Sequence, residues 1–160
     1  MYQSYPMYQD YNRILEIVKN NMDQEALQCW SISPDQMFQR YAQSLQMGGV
    51  LAVEAGGYVI WGNFESSYVL RIHIFSDQKS FGVVDSLRTL TRHLFYHYPL
   101  IKIYGVTPNK GFVKMSARAG WKHDGMLPKS FITNEGTLKD QYILSAYRED
   151  YVTTKIQPVY

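Results

Sequence analysis

His73 stands between Ile72 and Ile74 in an alternating apolar stretch, so its imidazole is expected on one face of a strand. The ordinary imidazole pKa, near 6.5, suits proton abstraction close to neutral pH. Glu54 and Glu65, in the two strand-like runs before it, are further candidate bases, and a hydrogen-bonded structural histidine is the plainer role for His73. His93 and His97 lie four apart and share a face of an expected helix. A metal there would need further ligands that the sequence does not supply, so no metal site is expected. His123 and Asp124 fall in an expected loop, where a surface role is the default. The single cysteine, Cys29, sits beside Trp30 and reads as core packing. One cysteine permits no internal disulfide, which fits a reducing compartment.

The elements that must position these groups follow from periodicity. Tyr11, Ile14, Leu15 and Val18 mark one face of a helix that Asn20 and Asn21 end. Ser33, Pro34 and Gln36 form a capping box with proline at the first helical position, and Gly48-Gly49 stops the helix so begun. Val50 to Ala55, Tyr58 to Phe64 and Tyr68 to Phe75 read as a three-stranded meander with a tight turn at Gly56-Gly57. Val83, Leu87, Leu90 and Leu94 give the apolar seam of a helix ended by Pro99. Leu100 to Val106 is a strand, Lys110 to Ala119 a helix with Gly120 past its end, and Trp121 to Gly125 an extended stretch resumed from Ser130 to Thr133. After a turn at Gly136, Leu138 to Tyr147 is the last strand. Strand runs followed by β-α-β imply a mixed α/β sheet with helices packed on it.

Size and composition agree. A chain of 160 residues suits one domain, expected over 1–150 with a tail over 151–160. With 46% hydrophobic and 19% charged residues the chain can bury a full core. Many of the 14 tyrosines are expected half-buried, with the hydroxyl in water. A net charge of +2 without a basic run gives no electrostatic case for nucleic acid. Met1 to Met7 carries no apolar leader segment, and no apolar run nears the roughly 20 residues that cross a bilayer, so a cytoplasmic protein is expected.

The element order resembles the Gcn5-related N-acetyltransferase superfamily. So does the stretch Asp77-Gln78-Lys79-Ser80-Phe81-Gly82, where a strand feeds a helix. The family's pattern there is Gln or Arg, two residues, Gly, one residue, then Gly or Ala. Ser80 stands for the first glycine, Gly82 keeps the second, and Asp77 replaces the basic or amide position. Asn109, with Gly120 and Trp121 eleven and twelve residues on, matches a second family feature. The resemblance implies a mixed sheet with helices on both faces and acetyl-CoA as co-substrate. The pyrophosphate would bind over Gln78, Lys79, Ser80, Phe81, Gly82 and Val83, where helix-opening amides face an anion and Lys79 offsets Asp77. Backbone groups of Ile72 and Ile74 would pair with the pantetheine arm, the sheet opening there toward the strand of Ile103 to Val106, and Asn109 would complete the cofactor side. The family's acid is a tyrosine seven residues after the asparagine. Here Ser116 holds that position, and Tyr104 on the neighbouring strand is the substitute. The implied reaction is acetyl transfer to an amine on a small molecule or protein. The alternative is a binding or structural protein that keeps the scaffold without the activity. Ser76-Asp77-Gln78 is similar to short phage-encoded acetyltransferase-like proteins, some of them internal virion components.

Overall fold

A computed structural model describes residues 10–22, 32–48, 50–77 and 83–153. Helix α1 spans Tyr11–Asn20 and α2 spans Pro34–Met47. Strands β1 (Val50–Ala55), β2 (Tyr58–Ser66) and β3 (Val69–Ser76) then form the meander. Helix α3 (Val83–His97), β4 (Lys102–Thr107), α4 (Lys110–Arg118), β5 (Lys122–Ile132) and β6 (Leu138–Tyr147) complete the order. Among the described residues six strands lie in the order β1-β2-β3-β4-β6-β5, and only β3 and β4 pair in parallel. The expected mixed α/β architecture is the one observed.

Local chemistry explains the element ends. The Ser33 hydroxyl accepts from the Gln36 amide at 3.2 Å and the Gln36 side chain accepts from the Ser33 amide at 3.1 Å, the expected capping box. Gly56 and Gly57 have φ of 60° and 87°, as a primed hairpin turn requires. The segment expected to pause between Gly125 and Ser130 is instead one edge strand. Its ladder shifts between Leu127 and Phe131, and this irregularity takes up Pro128 and Lys129. His123 and Asp124, expected in a loop, therefore lie in β5.

Two cores sandwich the sheet. On one face Leu70, Ile72, Ile103, Leu144 and Ala146 meet Leu87, Leu90, Leu94 and Phe95 of α3 and the buried Trp121. The Trp121 indole donates to the Thr91 hydroxyl at 3.2 Å, which donates in turn to the Leu87 carbonyl at 2.6 Å, so this buried polar chain is satisfied. On the other face Ala52, Val59, Trp61 and Phe75 meet Ile14, Ile17 and Val18 of α1, with the Tyr41 ring edge-on to Trp61 at 4.8 Å. Beyond Asp150, Tyr151 and Val152 still pack on the first core, and the Tyr151 hydroxyl donates to the Ala119 carbonyl at 2.6 Å. Among the described residues no helix is long and apolar enough to cross a membrane.

Arg148 fastens the end of α3. One guanidinium nitrogen donates to the carbonyls of Phe95 at 2.6 Å, Tyr98 at 3.2 Å and Leu100 at 3.2 Å. Methionine would keep the stem and leave those oxygens short of a donor. Arg148→Met is expected to destabilise the fold by about 2 kcal/mol, a fall of roughly 4–8 °C in Tm by calorimetry.

Candidate functional site

The sheet has an opening in its middle. Strands β3 and β4 pair through Val69↔Lys102, Leu70↔Ile103 and Arg71↔Tyr104, and there the pairing ends. Both strands run on, β3 still paired with β2 to Ser76 and β4 with β6 to Thr107. Among the described residues each is thus paired on its outer side and has no ladder partner on its inner side beyond that point. The pairing ends at Arg71↔Tyr104, so on β3 it stops just before Ile72, while on β4 Ile103 and Tyr104 are still paired.

The inner edge of β3 can be assigned. A Cβ built on Gly105 would lie 3.3 Å from the Ile72 carbonyl oxygen, so that oxygen points at β4. In an antiparallel ladder both backbone groups of a residue point to one side and the sides alternate. The N–H and C=O of Ile74 are therefore directed into the opening, where β4 has left.

Gln78, Lys79, Ser80, Phe81 and Gly82 lie outside the described residues, as does the side chain of Val83. Asp77, just before them, faces α1. Its carboxylate accepts from the Asn21 amide and lies 3.7 Å from the Arg13 guanidinium, and its backbone N–H donates to Gly57 at 3.1 Å. Arg13 thus balances the Asp77 charge, and Lys79, expected to offset it, lies outside the described residues.

Beside the fork, on the α1 and α2 face, stand His73 and Tyr104. Trp61 opposite His73 and Phe75 two residues on both belong to that face, which fixes its side. The imidazole is exposed yet closely surrounded by protein. Desolvation first, then the Arg71 guanidinium, holds its pKa below the ordinary value. The Tyr104 hydroxyl donates to Glu65. Burial, that hydrogen bond and the carboxylate charge raise its pKa, while Arg71 partly opposes them. Directly opposed residues build a polar row across this face: Asn63, Arg71, Tyr104, Ser145 and Lys122.

The other candidates are placed elsewhere. Ser116 is fully buried, and its hydroxyl donates to the Val113 carbonyl at 3.0 Å, so it is turned into the protein. Asn109 caps α4, its side-chain oxygen accepting from Gly111 at 2.9 Å and Phe112 at 3.2 Å. The Glu54 carboxylate accepts from the Gly57 amide at 3.1 Å and braces the hairpin. The His93 and His97 rings are 4.3 Å apart, with the His93 pKa pulled down to about 4 by burial and then by His97. Among the described residues no three metal-ligating side chains come together. His123 sets its ring against Tyr142, and Asp124 accepts from the Tyr147 hydroxyl and pairs with Lys102 at 3.4 Å. Arg71 and the Glu65–Tyr104 pair escaped the sequence reading. For Arg71 the signal was present, since it precedes His73 by two in an alternating strand.

No protein-family model matches the sequence, and no curated protein matches it significantly. Solved structures do. A spermidine N-acetyltransferase from Vibrio cholerae, in complex with CoA and spermine, superposes with a TM-score of 0.68 at 16% identity, covering 91% of this chain and 95% of that one. A ribosomal-protein-S5-alanine acetyltransferase from Vibrio fischeri gives a TM-score of 0.60 at 13% identity, covering 92% and 93%. With the six-stranded mixed sheet, the single parallel pair and its fork already described, the chain has the fold of the Gcn5-related N-acetyltransferases.

Proposed function

We propose that this chain is an acetyl-CoA-dependent N-acetyltransferase acting on an amine. The observation that carries the reading is the fork between β3 and β4, with the backbone groups of Ile74 directed into it. An extended arm with its own amides can add there as a strand, bonding to Ile74 and running along Ile72. Gly105 keeps the opposite wall free of a side chain. The helix α3 opens immediately after, and its first amides, with Gln78 to Gly82, would take the pyrophosphate. The fold shared with a spermidine N-acetyltransferase solved with CoA supports this placement.

The bound thioester supplies the activated acetyl group. His73 and Tyr104 supply proton transfer, and their environments push them apart in the useful direction. A lowered imidazole pKa leaves His73 neutral at neutral pH, ready to accept a proton. A raised phenol pKa keeps Tyr104 protonated, ready to donate. As the amine nitrogen bonds to the acetyl carbon, His73 takes the proton that nitrogen releases. As the carbon–sulfur bond breaks, the Tyr104 hydroxyl gives its proton to sulfur. Solvent exchange returns both groups to their starting states. The buried Ser116 has no part in this scheme.

Titration with acetyl-CoA tests the reading. At about 100-fold over Kd, a ligand of the native state adds roughly 2.7 kcal/mol of stability. The expected rise in Tm is therefore roughly 5–10 °C by thermal shift. No rise at millimolar acetyl-CoA would return the chain to the alternative of a binding or structural protein on the same scaffold.

A further inference from the structure

We propose that Arg71 is the acceptor-recognising group beside the fork, and that it selects amines carrying a carboxylate. The proposal rests on the acetyltransferase reading and deepens it.

Position is the first argument. Arg71 and Tyr104 are the last opposed pair before the strands part. Arg71 precedes His73 by two on β3, so its guanidinium shares the face of both proton-transfer groups. An acceptor nitrogen placed between His73 and Tyr104 has Arg71 as the one arginine or lysine of β3 beside it.

Charge pairing is the second. Lys102 is paired with Asp124 at 3.4 Å and Lys122 with Asp150 at 3.1 Å. The exposed Arg71 guanidinium makes no ion pair or side-chain hydrogen bond among the described residues. Glu65, the carboxylate that acts on the same tyrosine, is taken up by the Tyr104 hydroxyl. Among the described residues Arg71 is thus a cation beside the fork left for a ligand, and a planar guanidinium fits a carboxylate through two parallel bonds. Exposed Asn63, directly opposite Arg71 on β2, adds an amide donor for the same group.

Complementarity is the third. Arg71 and Glu65 act on Tyr104 with opposite electrostatic sign. An amino acid with its carboxylate on Arg71 and its amine, having lost one proton to solvent, between His73 and Tyr104 matches that arrangement. A polyamine would set one of its ammonium groups against Arg71 without compensation.

The test uses the purified full chain and acetyl-CoA, with free thiol as the readout. The acceptors are the L-amino acids, the carboxamide of each, and spermidine. For the best amino acid, kcat/KM is expected to exceed that of its carboxamide by about 10- to 100-fold, the range of a charge-assisted pair. Arg71→Gln should bring that ratio close to one, and Arg71→Glu should turn the preference toward spermidine. Arg71 is exposed, so neither change threatens the fold. Carboxamides or spermidine used as well as the acids, a ratio unmoved in Arg71→Gln, or transfer to none of the acids would each overturn the assignment. Binding of acetyl-CoA to the unaltered protein is measured alongside. Its failure removes the acetyltransferase reading itself, whereas its success with any of those results removes Arg71 alone.

Discussion

Replacing Tyr104 by phenylalanine is expected to slow acetyl transfer by about 100- to 1,000-fold, with acetyl-CoA affinity changed by no more than about twofold. The separation follows from where the two functions reside. Cofactor affinity is assigned to backbone groups of β3 and to the opening of α3, neither of which the Tyr104 ring supplies. The hydroxyl is assigned to the departing sulfur. Phenylalanine keeps the ring and removes only the proton donor, along with the bond to Glu65. Glu65 is exposed, so its freed carboxylate can turn to water at little cost in stability. The pH profile supplies the sign. His73 must be neutral to work and its pKa lies below the ordinary imidazole value, so kcat/KM should rise with pH through a value under 6.5. Tyr104 must be protonated and its pKa lies above 10, so the rate should hold level from neutral pH into the alkaline range. Tyr104→Phe should lower the whole plateau, and His73→Ala should remove the acidic limb. An unchanged plateau in Tyr104→Phe would take the hydroxyl out of the chemistry.

The scaffold was readable because its signals are local. Ser33, Pro34 and Gln36 sit within one turn of each other, and the stripe of Leu87, Leu90 and Leu94 is fixed by the 3.6-residue period. Even here packing adjusts the detail. Ile17 is fully buried and Tyr11 is 53% exposed, because α1 presents a slightly rotated face to Trp61 and Phe75. The site was less readable because its partners are distant in the chain. Tyr104 and Glu65 lie 39 residues apart, and what joins them is strand order and register across three strands. Asp77 and its partners Arg13 and Asn21 meet only because α1 lies along the end of β3. Ser116 shows the converse limit. Counting from Asn109 assigns it a position, but the rotation of α4 decides whether that position faces substrate, and here it faces inward. Element type is set within a few residues; the company a side chain keeps is set by topology.

A valine at position 105 is expected to weaken acetyl-CoA binding by about 100-fold, near 3 kcal/mol. Gly105 follows the last residue of β4 that pairs with β3, at the base of the fork. The Cβ of any side chain there comes within 3.3 Å of the Ile72 carbonyl oxygen and 3.7 Å of Ile72 Cγ1. The nearer atom is backbone, on a strand that β2 holds in register from Tyr58↔Ser76 to Asn63↔Arg71, so it has little freedom to retreat. Two further methyl groups must then crowd Ile72 on the α3 face and lever the strands into a different angle at the mouth of the fork. A changed strand angle disturbs the path of an arm laid beside Ile72 and Ile74, with the loss of two or so backbone hydrogen bonds and the contacts around them. The effect on the fold should be smaller, about 1–2 kcal/mol, because this side of both strands carries no ladder to break. Calorimetric titration and thermal melting, run on the same sample, separate the two. Gly105→Ala adds the Cβ alone and should fall between wild type and valine in affinity. Binding undiminished in the valine variant would mean that the arm does not run through the fork, and the chemistry assigned to His73 and Tyr104 would lose its thioester. The two substitutions are adjacent in sequence yet opposite in expectation: Gly105→Val removes affinity with the proton-transfer side chains untouched, and Tyr104→Phe removes rate with affinity intact. A site in which both changes altered both quantities alike would be responding to damage of the strand rather than to the division of labour argued from its two sides.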